Sequence, residues 1–394
     1  MLKFTEAQQL ITNLSRSFGQ EEIALDDADS RVLAEDIYAD RDYPPFNRAA
    51  MDGYAINTTD WENGIREFEV QQVIYAGEAA KEALKPGTCY KIMTGAPVPQ
   101  SANAVIRRED AEQTDDIVKF NLENIKPFQN ISRQGEDMRQ GDKILSIGTL
   151  CSFAAISILA SLGKSKVRVQ SLPKVALFTT GNELVEVGMT VSDTQIRNSN
   201  QYLLKSLLKK WLIKPAVCEH VIDDKEQLKD ALTRALSCDI IITCGGVSAG
   251  DADYLPEVLA DLGVKKLFHK VAIKPGKPIW CGQMPNGGVV FALPGNPVSC
   301  MVTFKLFIEA YLTACLGAGN SKTLTLPFKG NRTHTTKLDE FFPVTISGEP
   351  ATAQALSINS SGDIRLGLYA DAFAHHPVDV AELNSESTVT CYLL

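Results

Sequence analysis

The chain opens on apolar positions at helical spacing. Ala7, Leu10, Ile11 and Leu14 recur three and four apart, behind Thr5 and Gln8, which read as a capping box. From about residue 46 to 139 the pattern shortens into strand-length pieces broken by Gly, Pro and Asn, which predicts a small β-domain. Phe153 to Leu162 is apolar nearly all round and stops at Gly163, a residue suited to the left-handed turn that ends a helix. The β-domain is then an insertion, with 1–45 and 140–172 forming one N-terminal domain around 46–139.

From 173 to 322 strands alternate with helices. Val175–Phe178 is a short apolar strand, and the helix near 200–211 starts beside Asn200, a good N-cap. Asp223 caps the next helix, and Asp239–Thr243 reads as a buried strand from its unbroken apolar run. Further strands are expected at 265–273 and 288–293, with a closing helix at about 298–316. Such alternation predicts a doubly wound parallel sheet. Residues 323–394 return to period two, with Val389, Cys391 and Leu393 on one face, and predict a C-terminal β-domain. The expected fold class is therefore multidomain α/β plus β.

Composition narrows the class. A chain of 394 residues, 44% hydrophobic and 22% charged, suits a soluble protein of several domains. It has no run of eighteen apolar residues, so no membrane span is expected, and Met1–Glu6 lacks the layout of a secretory signal. Nine cysteines scattered without a C-x-x-C pair indicate reduced, buried thiols in a cytoplasmic protein. The histidines form no H-E-x-x-H, and the pair His375-His376 reads as structural. A net charge of −9 disfavours nucleic acid as a partner, so any anionic ligand needs basic groups gathered locally.

Three candidate segments fall where strands end, the place ligands bind in open α/β sheets. In Gly245-Gly246-Val247-Ser248-Ala249-Gly250-Asp251-Ala252-Asp253-Tyr254 the glycines let backbone N–H groups approach phosphate. Asp251 and Asp253 offer hard oxygens for Mg²⁺. The plainer alternative is a Gly-rich turn with solvated acids. In Lys274-Pro275-Gly276-Lys277-Pro278 two prolines stiffen a loop whose ammonium groups suit an oxyanion. In Leu293-Pro294-Gly295-Asn296-Pro297-Val298-Ser299, Asn296 serves as N-cap and Pro297 as the first helical residue, leaving the amides of Val298 and Ser299 open to an anion. Thr179-Thr180-Gly181-Asn182-Glu183-Leu184 adds an acid at another strand end. Pro44 to Tyr54, through Asp52-Gly53, Thr94-Gly95-Ala96-Pro97-Val98-Pro99 and Gly135-Glu136-Asp137 are loops when taken singly.

Taken in chain order, these seven motifs resemble the molybdopterin molybdenumtransferase family, called MoeA or the gephyrin E domain. The resemblance implies an elongated homodimer of four-domain chains whose α/β domain is akin to molybdopterin adenylyltransferase, itself an implied partner. It implies Mg²⁺-dependent insertion of molybdenum from molybdate into adenylylated molybdopterin, with release of AMP, at a site shared between subunits. A non-catalytic molybdopterin-binding or scaffold protein on the same fold is the second reading. Carried over motif by motif, Asp253 is the main Mg²⁺ carboxylate with Asp251 as helper. Lys274 and Lys277 hold molybdate and phosphate, and Glu183 is a substrate-binding acid. Asp52, Thr94 and Asp137 are contributed by the inserted region across the dimer. Gly245, Gly246, Ser248, Gly250, Asn296 and Ser299 line the substrate site, and Pro294 and Pro297 shape its floor. The family's G-R-x-E-F-x-R reads Lys337-Leu338-Asp339-Glu340-Phe341-Phe342-Pro343 here, with Leu338 and Pro343 at the arginine positions. Lys337 and Arg365 are the nearest cations in sequence, and one of them is expected to take over.

Overall fold

The computed structural model describes residues 1–247, 254–317 and 323–394, which fall into two compact units. The first comprises Met1–Ala34, Gly148–Phe153 and Lys166–Leu394. At its centre is a six-stranded sheet in the order Val217–Val221, Val175–Thr180, Ile240–Cys244, Val289–Leu293, Trp280–Gln283, Lys265–His269. Val175–Thr180, Ile240–Cys244 and Val289–Leu293 are buried at every position because the sheet is covered on both faces. Alternate residues feed different cores. Val175, Leu177, Ile240, Ile242 and Phe291 pack with the helices Ser199–Lys209 and Phe4–Thr12. Ala176, Phe178, Ile241 and Val290 pack with Lys225–Ala235 and Leu255–Asp261.

The sheet is mixed, which corrects the expected parallel one. The first four strands are parallel, but Val289–Leu293 pairs antiparallel with Trp280–Gln283, and that strand with Lys265–His269. The cause is chain length. A tight turn through Pro285, Asn286 and Gly287, closed by Met284 accepting from the Gly287 amide, joins two of these strands, whereas a parallel crossover needs a dozen residues or more.

Helix caps also move. Asn198, not Asn200, caps Ser199–Lys209, and Asp224, not Asp223, caps Lys225–Ala235. At the N-terminus the helix begins at Phe4, and the Lys3 amide donates to the Glu6 carboxylate instead of Thr5 and Gln8 forming the cap. Gln8 reaches the Leu306 carbonyl. The closing helix Pro297–Leu316, broken by a π-helical turn at Phe304–Ile308, has a most apolar stretch of mean hydropathy 1.4. That stretch is 72% buried, which marks a core helix.

The end of the first unit is a closed β-barrel. Asp339–Ser347 pairs with Thr352–Ala355 on one side and Ala372–His376 on the other. The ring closes through Thr323–Lys329 and Thr388–Leu393. Phe328, Phe342, Val344 and Val389 fill its interior. The strand Ile273–Lys274 adds to this sheet in parallel, setting Lys274 opposite Glu340.

The second unit comprises Glu35–Ile147 and Ala154–Ser165. Its six-stranded sheet runs Ala104–Arg107, Gly53–Ile56, Thr88–Ile92, Glu67–Ile74, Ile117–Phe120, Ala111–Thr114. Tyr90, Ala55 and Ile92 pack on one face, and Phe68, Trp61, Ile106 and Val118 on the other.

Candidate active site

A cavity of about 990 Å³ opens at the carboxyl ends of Val175–Thr180, Ile240–Cys244 and Val289–Leu293. Val217–Val221 lies on one side of Val175–Thr180 and Ile240–Cys244 on the other, so the connections leave in opposite directions and open a crevice there. Thr180 and Gly181, Gly245 and Gly246, and the run Pro294–Pro297 form three of its walls. Gly245 has φ +98°, and a Cβ there would stand 2.6 Å from the Thr180 carbonyl oxygen. Only glycine lets these two strand ends meet.

Among the sequence candidates, Glu183, Gly245, Gly246, Pro294, Asn296 and Pro297 are gathered on this cavity. Ser299 is buried in the closing helix just behind it. Ser248, Gly250, Asp251 and Asp253 lie outside the described residues. Sequence reasoning missed Arg197, the one cation among the described lining residues, and Asp223, which adds a second carboxylate to that of Glu183. It also missed the role of Asn198. The Asn198 side chain is buried, accepts from the Gln201 amide at 3.3 Å and donates to the Thr179 hydroxyl at 2.7 Å. The run Asn198-Ser199-Asn200 was the available signal, since all three residues favour helix starts.

The start of the closing helix differs from expectation. Asn296 occupies the N-cap position without capping through its side chain, which donates instead to the Ser361 hydroxyl at 2.9 Å. The Val298 amide, expected to be open, donates to the Ser361 carbonyl at 3.1 Å. A loop from the barrel thus occupies part of the helix terminus, and its Gly362 and Ile364 line the cavity.

The two lysines stand outside that lining, although Pro278 of the same turn belongs to it. Gly276, at φ +101°, packs its backbone against Thr303 of the closing helix, where a Cβ would come within 2.6 Å of the Thr303 methyl. Lys277 is exposed. Lys274 donates to the Thr335 hydroxyl at 3.1 Å and lies 3.8 Å from Glu340. Glu340 is 1% exposed yet charged. Burial alone would raise its pKa, but hydrogen bonds from Thr335 and Thr336 and the charges of Arg332 and Lys274 outweigh it and hold it at about 2. A carboxylate depressed from its ordinary 4.5 stabilises the fold fully above that pH and loses the contribution as pH falls toward 2. Glu340→Gln is therefore expected to melt below the parent at neutral pH, by a gap that closes in acid and amounts to about 3 kcal/mol at most. Thermal unfolding at pH 7 and pH 3 checks this, and a gap independent of pH contradicts it.

In the second unit Asp52 and Thr94 come together. One Asp52 oxygen accepts from both the Thr94 amide, at 2.7 Å, and the Thr94 hydroxyl, at 2.6 Å. These bonds lower the Asp52 pKa and keep it ionised. Asp137 is exposed, and its amide donates to the Tyr43 carbonyl at 3.0 Å, tying the G-E-D loop to the Pro-rich run before Asp52.

The described residues hold no cluster of three or more His, Cys, Asp or Glu side chains suited to a metal. His375 stacks on Phe341 and meets Asp339 at 3.0 Å, and His376 bonds the Val380 carbonyl, both structural roles. All nine cysteines are free thiols, seven of them buried.

Comparison with known proteins places these features. Residues 2–163 match the family described as MoeA N-terminal region (domain I and II), and 176–314 match a probable molybdopterin binding domain. A molybdopterin molybdenumtransferase of Synechocystis is 33% identical over 96% of both chains. One of Staphylococcus epidermidis is 37% identical over 75% of this chain and 71% of its own. The crystal structure of the molybdopterin biosynthesis MoeA protein of Pyrococcus horikoshii is 30% identical, covers 100% of both chains and superposes with a TM-score of 0.86. With both halves of the chain matched and its whole fold shared, the chain belongs to the MoeA family, the molybdopterin molybdenumtransferases of molybdenum cofactor biosynthesis.

Proposed function

We propose that this transferase takes molybdenum from molybdate onto adenylylated molybdopterin and releases AMP, with Mg²⁺ held beside the pyrophosphate. The observation that carries the reading is the cavity at the strand ends, whose volume of about 990 Å³ suits a substrate of this size. In its Gly245-Gly246 turn the Gly245 amide already donates to the Leu293 carbonyl at 3.1 Å, so the Gly246 amide is the donor offered to phosphate, and Glu183 receives the pterin amine. Lys274 and Lys277 take molybdate and phosphate, Asn296 and Ser299 help shape the substrate pocket, and Pro294 and Pro297 form its floor. Arg197 supplies the one cation among the described residues that line this cavity, in a chain of net charge −9.

Asp251 and Asp253 carry the metal in this reading, with Ser248 and Gly250 in the same sequence motif. The donor class fits: hard carboxylate oxygens are what Mg²⁺ takes, and Glu183 and Asp223 bring more of them to the cavity. When bound, Mg²⁺ supplies charge neutralisation on the pyrophosphate and polarises the anhydride toward cleavage.

Domains 1–45 with 140–172, 46–139, 173–322 and 323–394 form the functional divisions, the third akin to molybdopterin adenylyltransferase, the enzyme that would hand over the substrate in the cytoplasm. The chain acts as a homodimer. Support comes from the helix Phe153–Ser161, which is apolar except at Ser157 and Ser161 yet leaves Phe153 86% exposed. Asp52, Thr94 and Asp137 then serve the partner's cavity. Mixing Asp52→Asn with Asp253→Ala protein tests this, because each mixed dimer regains one intact site. AMP release of about a quarter of the parent level is expected after random exchange. No recovery, with mixed dimers verified by mass, would put each complete site within one chain.

A further inference from the structure

We propose that Thr335 and Glu340 of the barrel are positioning residues for Lys274, fixing its ammonium group through a hydroxyl relay. The proposal rests on Lys274 being an oxyanion ligand. A lysine on a free four-carbon stem is a mobile point charge, and a tether at its tip reduces what is lost when an anion binds. The tether here has three links. The backbone strand Ile273–Lys274 is registered on Asp339–Glu340, the Lys274 ammonium donates to the Thr335 hydroxyl at 3.1 Å, and that hydroxyl donates to Glu340 at 2.5 Å.

The acid end of the relay is rigid. Glu340 also accepts from the Thr336 hydroxyl at 3.0 Å and from Arg332 at 2.6 Å, and the Arg332 guanidinium lies 4.2 Å over the Phe342 ring. Arg332 decides the electrostatics. A carboxylate beside Lys274 would by itself cancel the lysine's charge toward an anion. Arg332 binds the other Glu340 oxygen, so the trio keeps one net positive charge. With Leu338 and Pro343 at the family's arginine positions, a guanidinium still reaches this corner, from Arg332. Arg365 instead lies 3.7 Å from Asp363.

Glu340→Gln removes a negative charge along with the tether, and the two effects on anion binding oppose each other. Thr335→Val cuts the relay at an exposed position and leaves every charge in place. Molybdate is titrated into the full chain by calorimetry for the parent, Thr335→Val, Thr335→Ser, Lys274→Ala and the Lys274→Ala/Thr335→Val double variant. Thr335→Val is expected to weaken molybdate by about three- to tenfold, the net effect of one ordinary hydrogen bond, since the tether acts on the anion only through the lysine. Thr335→Ser restores parent binding, and the valine adds nothing to Lys274→Ala. Parent-like binding by Thr335→Val, with Lys274→Ala weakened, overturns the relay and leaves Lys274 as the ligand. An equal further loss in the Lys274→Ala background also overturns it, since the hydroxyl then acts elsewhere. If Lys274→Ala binds molybdate like the parent, the oxyanion assignment itself fails, and the relay with it.

Discussion

Asp253→Ala is expected to lower Mg²⁺-dependent AMP release by about three orders of magnitude and to leave the melting temperature unchanged. The size follows from the role. A metal acting as Lewis acid on an anhydride contributes several kcal/mol to the transition state, and each 1.36 kcal/mol is about tenfold in rate. Asp253 closes the G-G-V-S-x-G-D-x-D motif that follows the buried strand Ile240–Cys244, and two of that motif's glycines line the cavity. Asp251→Ala should cost less, because a helper carboxylate shares its load with water and phosphate oxygens. The check is AMP release across a Mg²⁺ titration. Turnover by Asp253→Ala at the parent rate and with the parent Mg²⁺ dependence would remove the metal from this motif.

Gly245→Ala carries the second large effect, and here fold and site fail together. The residue sits at φ +98°, where a Cβ is strained, and that Cβ would lie 2.6 Å from the Thr180 carbonyl oxygen and 2.8 Å from its hydroxyl. Neither neighbour can yield, since Thr180 ends a strand buried at all six positions. A stability loss of about 2–4 kcal/mol is expected, combining backbone strain with the push on Thr180. Displacing the Gly245-Gly246 turn should also weaken substrate by about tenfold or more, the loss of one bond from the Gly246 amide to a charged phosphate. Gly295→Ala is the control. Its nearest neighbour would be the Gly245 Cα at 3.9 Å, so the fold should tolerate it. Thermal melts and substrate binding on both variants test the contrast, and a Gly245→Ala protein that melts with the parent contradicts it.

The parts of the fold readable in the sequence were those where one period dominates. Val175–Thr180, Ile240–Cys244 and Val289–Leu293 are continuous apolar runs because both sheet faces are covered, and that run is a local property. The strand Trp280–Gln283, between Val289–Leu293 and Lys265–His269, carries no comparable pattern, and its direction is set by the short turn at Pro285–Gly287. The cap at Asn198 was offset by two residues for a tertiary reason. Each of Asn198, Ser199 and Asn200 can cap a helix, and the choice falls to the one buried against Thr179.

The site divides in the same way. Glu183, Gly245, Gly246, Pro294, Asn296 and Pro297 were legible as strand-end residues, and they share one cavity because strand ends in an open sheet converge. The Ser361 carbonyl on the Val298 amide joins residues far apart in the chain, and no local signal announces it. Arg332 was one arginine among many until the register of Asp339–Ser347 set Glu340 beside Lys274 and within reach of Arg332.

Molybdenum insertion coupled to cleavage of the adenylylated pterin can be followed on the intact protein. The most direct measurement incubates the purified protein with adenylylated molybdopterin, Mg²⁺ and molybdate, and follows AMP. AMP release is expected to need all three, to stop when the metal is chelated, and to leave a molybdenum-loaded pterin. Tight retention of the adenylylated pterin with no AMP released, with Mg²⁺ and molybdate both in excess, would contradict it and make the protein a pterin-binding scaffold.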